Sequence, residues 1–452
     1  MKKFLSLICV LALISALAGC GGTAGSGSPG AASSGASVSS AETGAPAAKD
    51  VTLRFSWWGS DSRHTATLKV IDMYKSKNPN VTIEAEYGGA DGYQDKRMTE
   101  MAGGNAPDIM QMDAPWMNDL KTRFDPFADL GKFSGILDSS TFDANLVTQF
   151  GTLNGVLYGL PTGINAMYML MNTAVLDKAG IDSKQAWTWD SILKDGAKVH
   201  AADSNQYFLN MDQHSLEYHV LRTYIKQHTG EQLIKDDYTL GFTEQDLTDA
   251  LAYVKQLFDN GVMQPASESF MFIDAFYNNP LWVNNNVGAD IDWVSMLTAR
   301  KAGFADTAAV AVVPQLPGAK DTAVLIRPAQ LLTVSSKSPN QEEAAKFMNY
   351  FFNDPEAIST LKLERSVPAT AKAREQLAKE GTMDPLISSV VDNAVKNAGK
   401  AENTISANVQ FDTILIDAVE KVGYYQAEPE QTAKETIRQF LLKIEELKAS
   451  AG

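Results

Sequence analysis

The chain has 452 residues, 39 basic and 54 acidic side chains, a formal net charge of −15 and 2 cysteines. That length exceeds what one hydrophobic core organises, so two domains are expected. The acidic balance argues against a nucleic-acid or anionic-membrane surface, which needs a basic patch. So few cysteines exclude a disulfide-dependent scaffold.

Met1-Lys2-Lys3 opens a leader. Phe4 to Leu17 is apolar, broken only by Ser6, Cys9 and Ser15, and Leu17-Ala18-Gly19-Cys20 closes it. The run is short of the roughly 20 residues a membrane span needs and reads as an export signal over 1–19. Leu-Ala-Gly-Cys resembles the lipobox of bacterial lipoproteins, which implies cleavage before Cys20 and its lipidation. An ordinary secretory signal with a chance cysteine is the alternative. Cleavage there removes Lys2, Lys3 and no acid, taking the charge from −15 to −17. It would leave no free thiol. Residues 20–49 are then a Gly/Ala/Ser tether with a reach of roughly 30 Å.

Order is expected from Val51. Val51–Phe55 alternates as a strand, and Ser60–Ser62 can cap a helix running to about Lys77. Asn78-Pro79-Asn80 turns the chain into a second alternating strand at Val81–Tyr87. A helix over Tyr93–Ala102 ends at Gly103-Gly104, and Pro107–Met112 is a third strand. Strand–helix–strand repetition predicts a mainly parallel sheet covered by helices. Tyr158–Asn172 reads as a turn entering a long apolar strand. Helices are expected at Ser191–His200, Gln213–His228, Glu244–Asn260, Gln341–Phe352 and Gln431–Leu447, with strands at Val310–Pro314 and Ala329–Val334.

Several segments carry a resemblance in order. They are Phe55-Ser56-Trp57-Trp58; Gly103-Gly104-Asn105-Ala106-Pro107-Asp108-Ile109; Leu157-Tyr158-Gly159-Leu160-Pro161; Tyr168–Thr173; Trp187–Leu193; and Lys337–Phe347 followed by Asn353–Ala357. Together they resemble the extracellular solute-binding proteins of carbohydrate ABC importers, the maltose-binding-protein-like group, over essentially the whole chain after the tether. The resemblance implies an α/β fold of the two-lobed periplasmic-binding-protein kind, type II. Each lobe would be a mainly parallel sheet flanked by helices, with ligand in the cleft at the hinge. Crossings are expected near Thr162–Ala166, Leu325–Gln330 and Ala369–Arg374. Lobe one is then 50–162 plus 328–372, and lobe two 163–327 plus 373–452. The implied partners are a mono- or oligosaccharide, ABC permease subunits with their ATPase, and the membrane through the Cys20 anchor. No cofactor is implied, and a monomer is expected. The protein would be exported to the outer face of the cytoplasmic membrane.

A sugar offers C–H faces to aromatic rings and hydroxyls to polar edges, and ligands of open α/β sheets sit beyond the carboxyl ends of parallel strands. Four clusters fit. Beyond the first strand lie Trp58, Asp61, Arg63 and His64; the plain alternative is a capped helix start. The alternation puts Trp57 in the core and Trp58 on the other side, beside Gly59, where backbone can approach a ligand. Beyond the third strand lie Asp113 and Trp116, or else Trp116 is core. Asp292 and Trp293 match the region where the family often puts a stacking tryptophan. Arg327, Gln330 and Arg365 lie near the crossings, where arginines clamp a hydroxyl or carboxylate or form interlobe salt bridges. Asn165 points into the cleft or caps a turn. Tyr207, Asn210 and Asp212 are weaker candidates.

A lipid-anchored carbohydrate-active enzyme would need two carboxylates flanking a bond. Asp61, Asp113 and Asp292 could supply them, but no Gly-x-Ser-x-Gly elbow is present, and no catalytic residue is assigned. His214 and His219 are five apart rather than four, which disfavours a metal pair on one helix face. A non-sugar solute is the remaining alternative.

Overall fold

The strand Val51–Trp58 (β1) buries Leu53, Phe55 and Trp57 completely and leaves Trp58 half-buried at its end. The computed structural model describes residues 49–273 and 275–451. The leader, Cys20 and the tether before Lys49 lie outside the described residues. Ser60 caps the helix Asp61–Lys77 by accepting from the Arg63 N–H, and the helix buries Val70, Ile71 and Tyr74. The chain returns as Val81–Gly88 (β2), parallel to β1 with Val51 opposite Val81. After the helix Tyr93–Ala102 it enters Ile109–Met112 (β3), also parallel to β1.

A small antiparallel pair, Thr152–Leu153 (β4) and Val156–Leu157 (β5), precedes Gly159–Pro161 (β6) and Ile164–Asn172 (β7). Further on come Tyr207–Leu209 (β8), Val287–Trp293 (β9), Ala308–Ala311 (β10), Ile326–Pro328 (β11) and Leu331–Val334 (β12). The first sheet runs β2-β1-β3-β12-β6 and the second β10-β7-β9-β8, with β11 also on β7. Both contain parallel strands flanked by helices. The second carries more antiparallel pairing than expected: β8 and β9 are parallel, but β7 runs antiparallel to β9, β10 and β11. The reason is that β7 and β11 are the chain's way in and out, and they lie side by side in opposite directions.

Two expected strands move for the same kind of reason. The strand expected at Ala329–Val334 starts at Leu331, because Ala329-Gln330 carries the chain from β11, paired with β7, to β12, which joins β3 and β6. The strand expected at Val310–Pro314 lies earlier, where β10 meets β7, since Pro314 has no N–H to extend a ladder. The helical run from Gln213 to Thr229 widens by a π-type turn at Glu217–Leu221.

Helix Gln341–Asn353 closes one face of the first sheet: Phe347 and Phe351 meet Phe55 edge-on at 5.6 and 6.2 Å. In the second unit of packing, Trp189 donates to Gln227 at 2.8 Å and accepts on its carbonyl from Tyr253 at 3.0 Å. Helices Glu244–Asp259, Val409–Gly423 and Pro429–Ala451 pack together beside it, with Phe411 and Phe440 4.8 Å apart. Among the described residues no helix is long and apolar enough to cross a membrane.

Trp57→Ala should lower unfolding stability by about 3–5 kcal/mol, the range for emptying a buried aromatic site. Trp58→Ala should cost clearly less. Denaturant midpoints of the two variants measure this, and equal losses would contradict the division of the pair.

Candidate functional site

Trp58 stands where β1 ends. Its ring lies 4.7 Å from Tyr93 and 5.3 Å from Trp116, an aromatic group at the carboxyl ends of β1 and β3. The Trp58 carbonyl accepts from Gln111 Nε2 at 3.2 Å and from Arg63 Nη1 at 3.3 Å. Arg63 also donates through Nε to the Glu364 carbonyl at 2.9 Å and through Nη1 to Gln330 Oε1 at 3.4 Å. One guanidinium thus joins the strand end to two other segments. It also fills the space beside Gly59, where an added Cβ would lie 2.4 Å from Arg63 Cδ. The expected backbone opening for ligand at Gly59 is therefore occupied by this side chain.

His64 and Asp61 do not join the aromatic group as expected. His64 Nδ1 accepts from Trp57 Nε1 at 3.1 Å, and its ring lies 4.6 Å from Tyr87, so it is held toward β2. Asp61 is exposed in the first helical turn. Asp113 and Trp116 are half-buried at the turn after β3. Burial raises the Asp113 carboxyl above its ordinary range, opposed by the Ala114 N–H and the charge of Arg327.

The other half is built on β7, β9 and β11. Arg327 is opposite Asn165, and Trp293 is opposite Met167 two residues further along β7. The exposed Arg327 guanidinium lies 4.1 Å above the Trp293 ring, a cation–π contact. Asn165 donates to Ser295 Oγ at 3.3 Å and accepts from the Ser295 N–H at 3.2 Å. Tyr218 and His219 flank Trp293 at 6.0 Å each. The Trp293 platform is accordingly covered in part by Arg327, which must shift or share it if a ring is to stack.

Asp292 and Arg365 lie deeper than a ligand residue should. Asp292 is buried beneath Trp293, accepting from the Trp293 N–H at 2.7 Å and from Arg300 Nε at 2.8 Å. Arg300 also reaches Asp290 at 3.1 Å. Arg365 is turned into the first sheet's packing, bonded to Gln111 and Thr67. Asn210 belongs to a buried amide network with Gln264, Asn279 and Trp282. Asp292, through Trp293, and Arg365, through Gln111, therefore support the surface from behind, and Asn210 is part of the packing.

The sequence does not single out Tyr93, Gln111 or Tyr218. Tyr93 carried a legible signal, an aromatic residue after Gly88-Gly89-Ala90-Asp91-Gly92 at the carboxyl end of a parallel strand. Tyr218 had none, because its position comes from the wide turn at Glu217–Leu221.

The family model for bacterial extracellular solute-binding proteins matches residues 69–388. The chain belongs to this family. Among solved structures, this solute-binding protein is similar to an extracellular solute-binding protein family 1 member from Alicyclobacillus acidocaldarius, with 27% identity, 88% of this chain and 99% of that one covered, and a TM-score of 0.78. It is also similar to a periplasmic oligogalacturonide binding protein from Yersinia enterocolitica, at 27% identity, 88% and 99% coverage and a TM-score of 0.74. The structure of that protein with saturated digalacturonic acid gives a TM-score of 0.65. An arabinooligosaccharide-binding protein of Bacillus subtilis is 28% identical over 164 residues, 35% of this chain and 37% of that one. Binding, rather than catalysis, is what this family does.

Burial holds His219 of the solute-binding protein at about 4, against an ordinary value of 6.5. The folded protein keeps it neutral while the unfolded chain takes up a proton. This stability contribution is present above about pH 6.5 and is lost as pH falls toward 4, by about 3 kcal/mol across that window. His219→Gln should remove that part of the acid sensitivity. Unfolding midpoints of both proteins at pH 7.5 and 4.5 test it; parallel losses would count against it.

Proposed function

We propose that the protein captures a mono- or oligosaccharide between two lobes and delivers it to an ABC permease and its ATPase. The lobes are 50–162 plus 328–372, and 163–327 plus 373–452. One observation carries the reading: two aromatic and polar half-sites flank the segments that pass between the sheets. Trp58, Tyr93, Trp116, Asp113 and Arg63 form one. Trp293, Arg327, Asn165 and Tyr218 form the other. The charge of Arg327 acts on the Asp113 carboxyl, which supports a shared space between the halves. Aromatic faces with charged hydrogen-bonding edges suit a sugar. Family membership and the oligosaccharide-binding relatives support this class of ligand.

Ligand that touches both halves favours the closed arrangement by its differential contacts. In this reading Cys20 carries lipid, the tether 20–49 holds the body near the membrane, and the protein works outside the cytoplasmic membrane. Arg327 and Arg63 also suit a carboxylate, which favours including acidic oligosaccharides among the ligands to be tried.

A thermal-shift screen against neutral oligosaccharides, arabino-oligosaccharides and digalacturonic acid tests the proposal. One class should raise the melting temperature saturably; no response to any sugar would defeat it. With that ligand, Trp58→Ala should weaken binding at least ~10-fold, about 1.4 kcal/mol, by titration calorimetry. Saturating ligand should also shrink the radius of gyration in solution scattering, and an unchanged curve would exclude hinge closure.

A further inference from the structure

Buried arginines in this protein have carboxylates beside them, with one exception among the described residues. Arg97 has Glu86 and Glu100. Arg222 has Glu217, Glu402 and Asp412. Arg300 has Asp290 and Asp292, and Arg374 has Asp392. Arg365 is only 3% exposed and its hydrogen bonds go to neutral groups. Nη1 donates to Gln111 Oε1 at 2.5 Å and Nη2 to Thr67 Oγ1 at 2.9 Å. Its Nε has no partner. The charge that acts on it most strongly is that of Arg63, which repels it. A guanidinium deprotonates only far above neutral pH, and burial with that repulsion lowers Arg365 to about 9, so it stays charged. An isolated buried charge is strongly unfavourable.

Arg365 also lines a cavity, together with Lys362, Thr162, Thr370, Ser366 and Phe351. Its free volume is about 30 Å³, room for one water-sized particle. The guanidinium lies 5.2 Å from the Phe351 ring on the same wall. Thr370 Oγ1 accepts from the Ala373 N–H, which leaves its own proton to donate. Lys362, exposed at the rim, brings a second cation whose charge also acts on Glu380. Arg365, Thr370 and Lys362 therefore line one space, mostly apolar otherwise, with no carboxylate among the lining residues.

We propose that this cavity is a binding site for a small monovalent inorganic anion, chloride being the species of the right size and abundance. The anion neutralises Arg365 and sits behind the segment Leu363–Val367. That segment is tied to the first crossing by Ile164 N–H to Val367 O at 2.7 Å and Ser366 Oγ to Ile164 O at 3.0 Å. An anion there stabilises the crossing without occupying the sugar surface.

The test uses the full chain at constant ionic strength. Bromide and chloride should raise the melting temperature saturably relative to fluoride, and a bromide-soaked crystal should show an anomalous peak in the cavity. Lys362→Gln should raise the half-saturating halide concentration several-fold, and Arg365→Met should abolish the response. Should Arg365→Met fail to fold, the bromide map and Lys362→Gln decide. An empty cavity with a flat titration overturns the proposal. So does a response to acetate with no bromide peak, or an equal halide response in a folded Arg365→Met protein.

Discussion

Where the chain passes between the two sheets, three segments must lie almost in contact. Thr162 donates its N–H to the Gln330 carbonyl at 2.8 Å, Ala329 donates to the Gly163 carbonyl at 2.8 Å, and Ile164 donates to Val367. A Cβ at Gly163 would fall 2.2 Å from the Arg365 carbonyl oxygen, so only glycine lets the first and third segments approach. This close backbone contact fixes where β6 ends and β7 begins. From it follow the positions of Asn165 and Arg327, which face each other one step further along, and of Trp293 two residues beyond. On the other side Arg63 reaches Glu364 and Gln330, so the same junction sets the end of β1 and hence Trp58. Both halves of the site are measured from one point.

Behind each half lies a buried polar layer of different character. Under Trp293, Arg300 is paired with Asp290 and Asp292 in a low-dielectric region where charges hold one another strongly, and the neutral His219 packs beside Asp292. Asp292 caps the Trp293 N–H, which sets where the strand turns and the indole projects. Under Trp58, Gln111 links the Trp58 carbonyl to Arg365. One support is rich in acids and the other in cations. Rigid supports of this kind keep binding groups within a narrow range of position.

Much of this was legible in the sequence because it rests on local periodicity. The alternation of Leu53, Phe55 and Trp57, the Ser60 cap and the Gly103-Gly104 stop each follow from a few neighbouring residues, and each element lies where those residues put it. The second sheet was less legible. Its antiparallel pairings join segments more than a hundred residues apart, and nothing local to Ala329-Gln330 says that the chain changes sheets there. Within the site, strand-end aromatics such as Trp58 and Trp116 could be picked out by position. Burial could not. Arg365 and Asp292 carry the residue types a sugar site uses, and only packing tells a ligand contact from the support beneath it. His64 illustrates the same gap: its bond to Trp57 Nε1 depends on a helical turn bringing it back over the strand.

The seven tryptophans of the chain fall into two environments. Trp57, Trp187, Trp189 and Trp282 are buried in the hydrophobic core. Trp58, Trp116 and Trp293 are half-buried, and each is a member of a candidate half-site. The indoles near the site also have close neighbours able to alter their emission: Tyr93 beside Trp58, and a guanidinium over Trp293. If the proposed site is right, intrinsic fluorescence divides into a part from the buried core indoles and a part from the candidate half-sites. On that reading the protein carries its own optical probe at the candidate site.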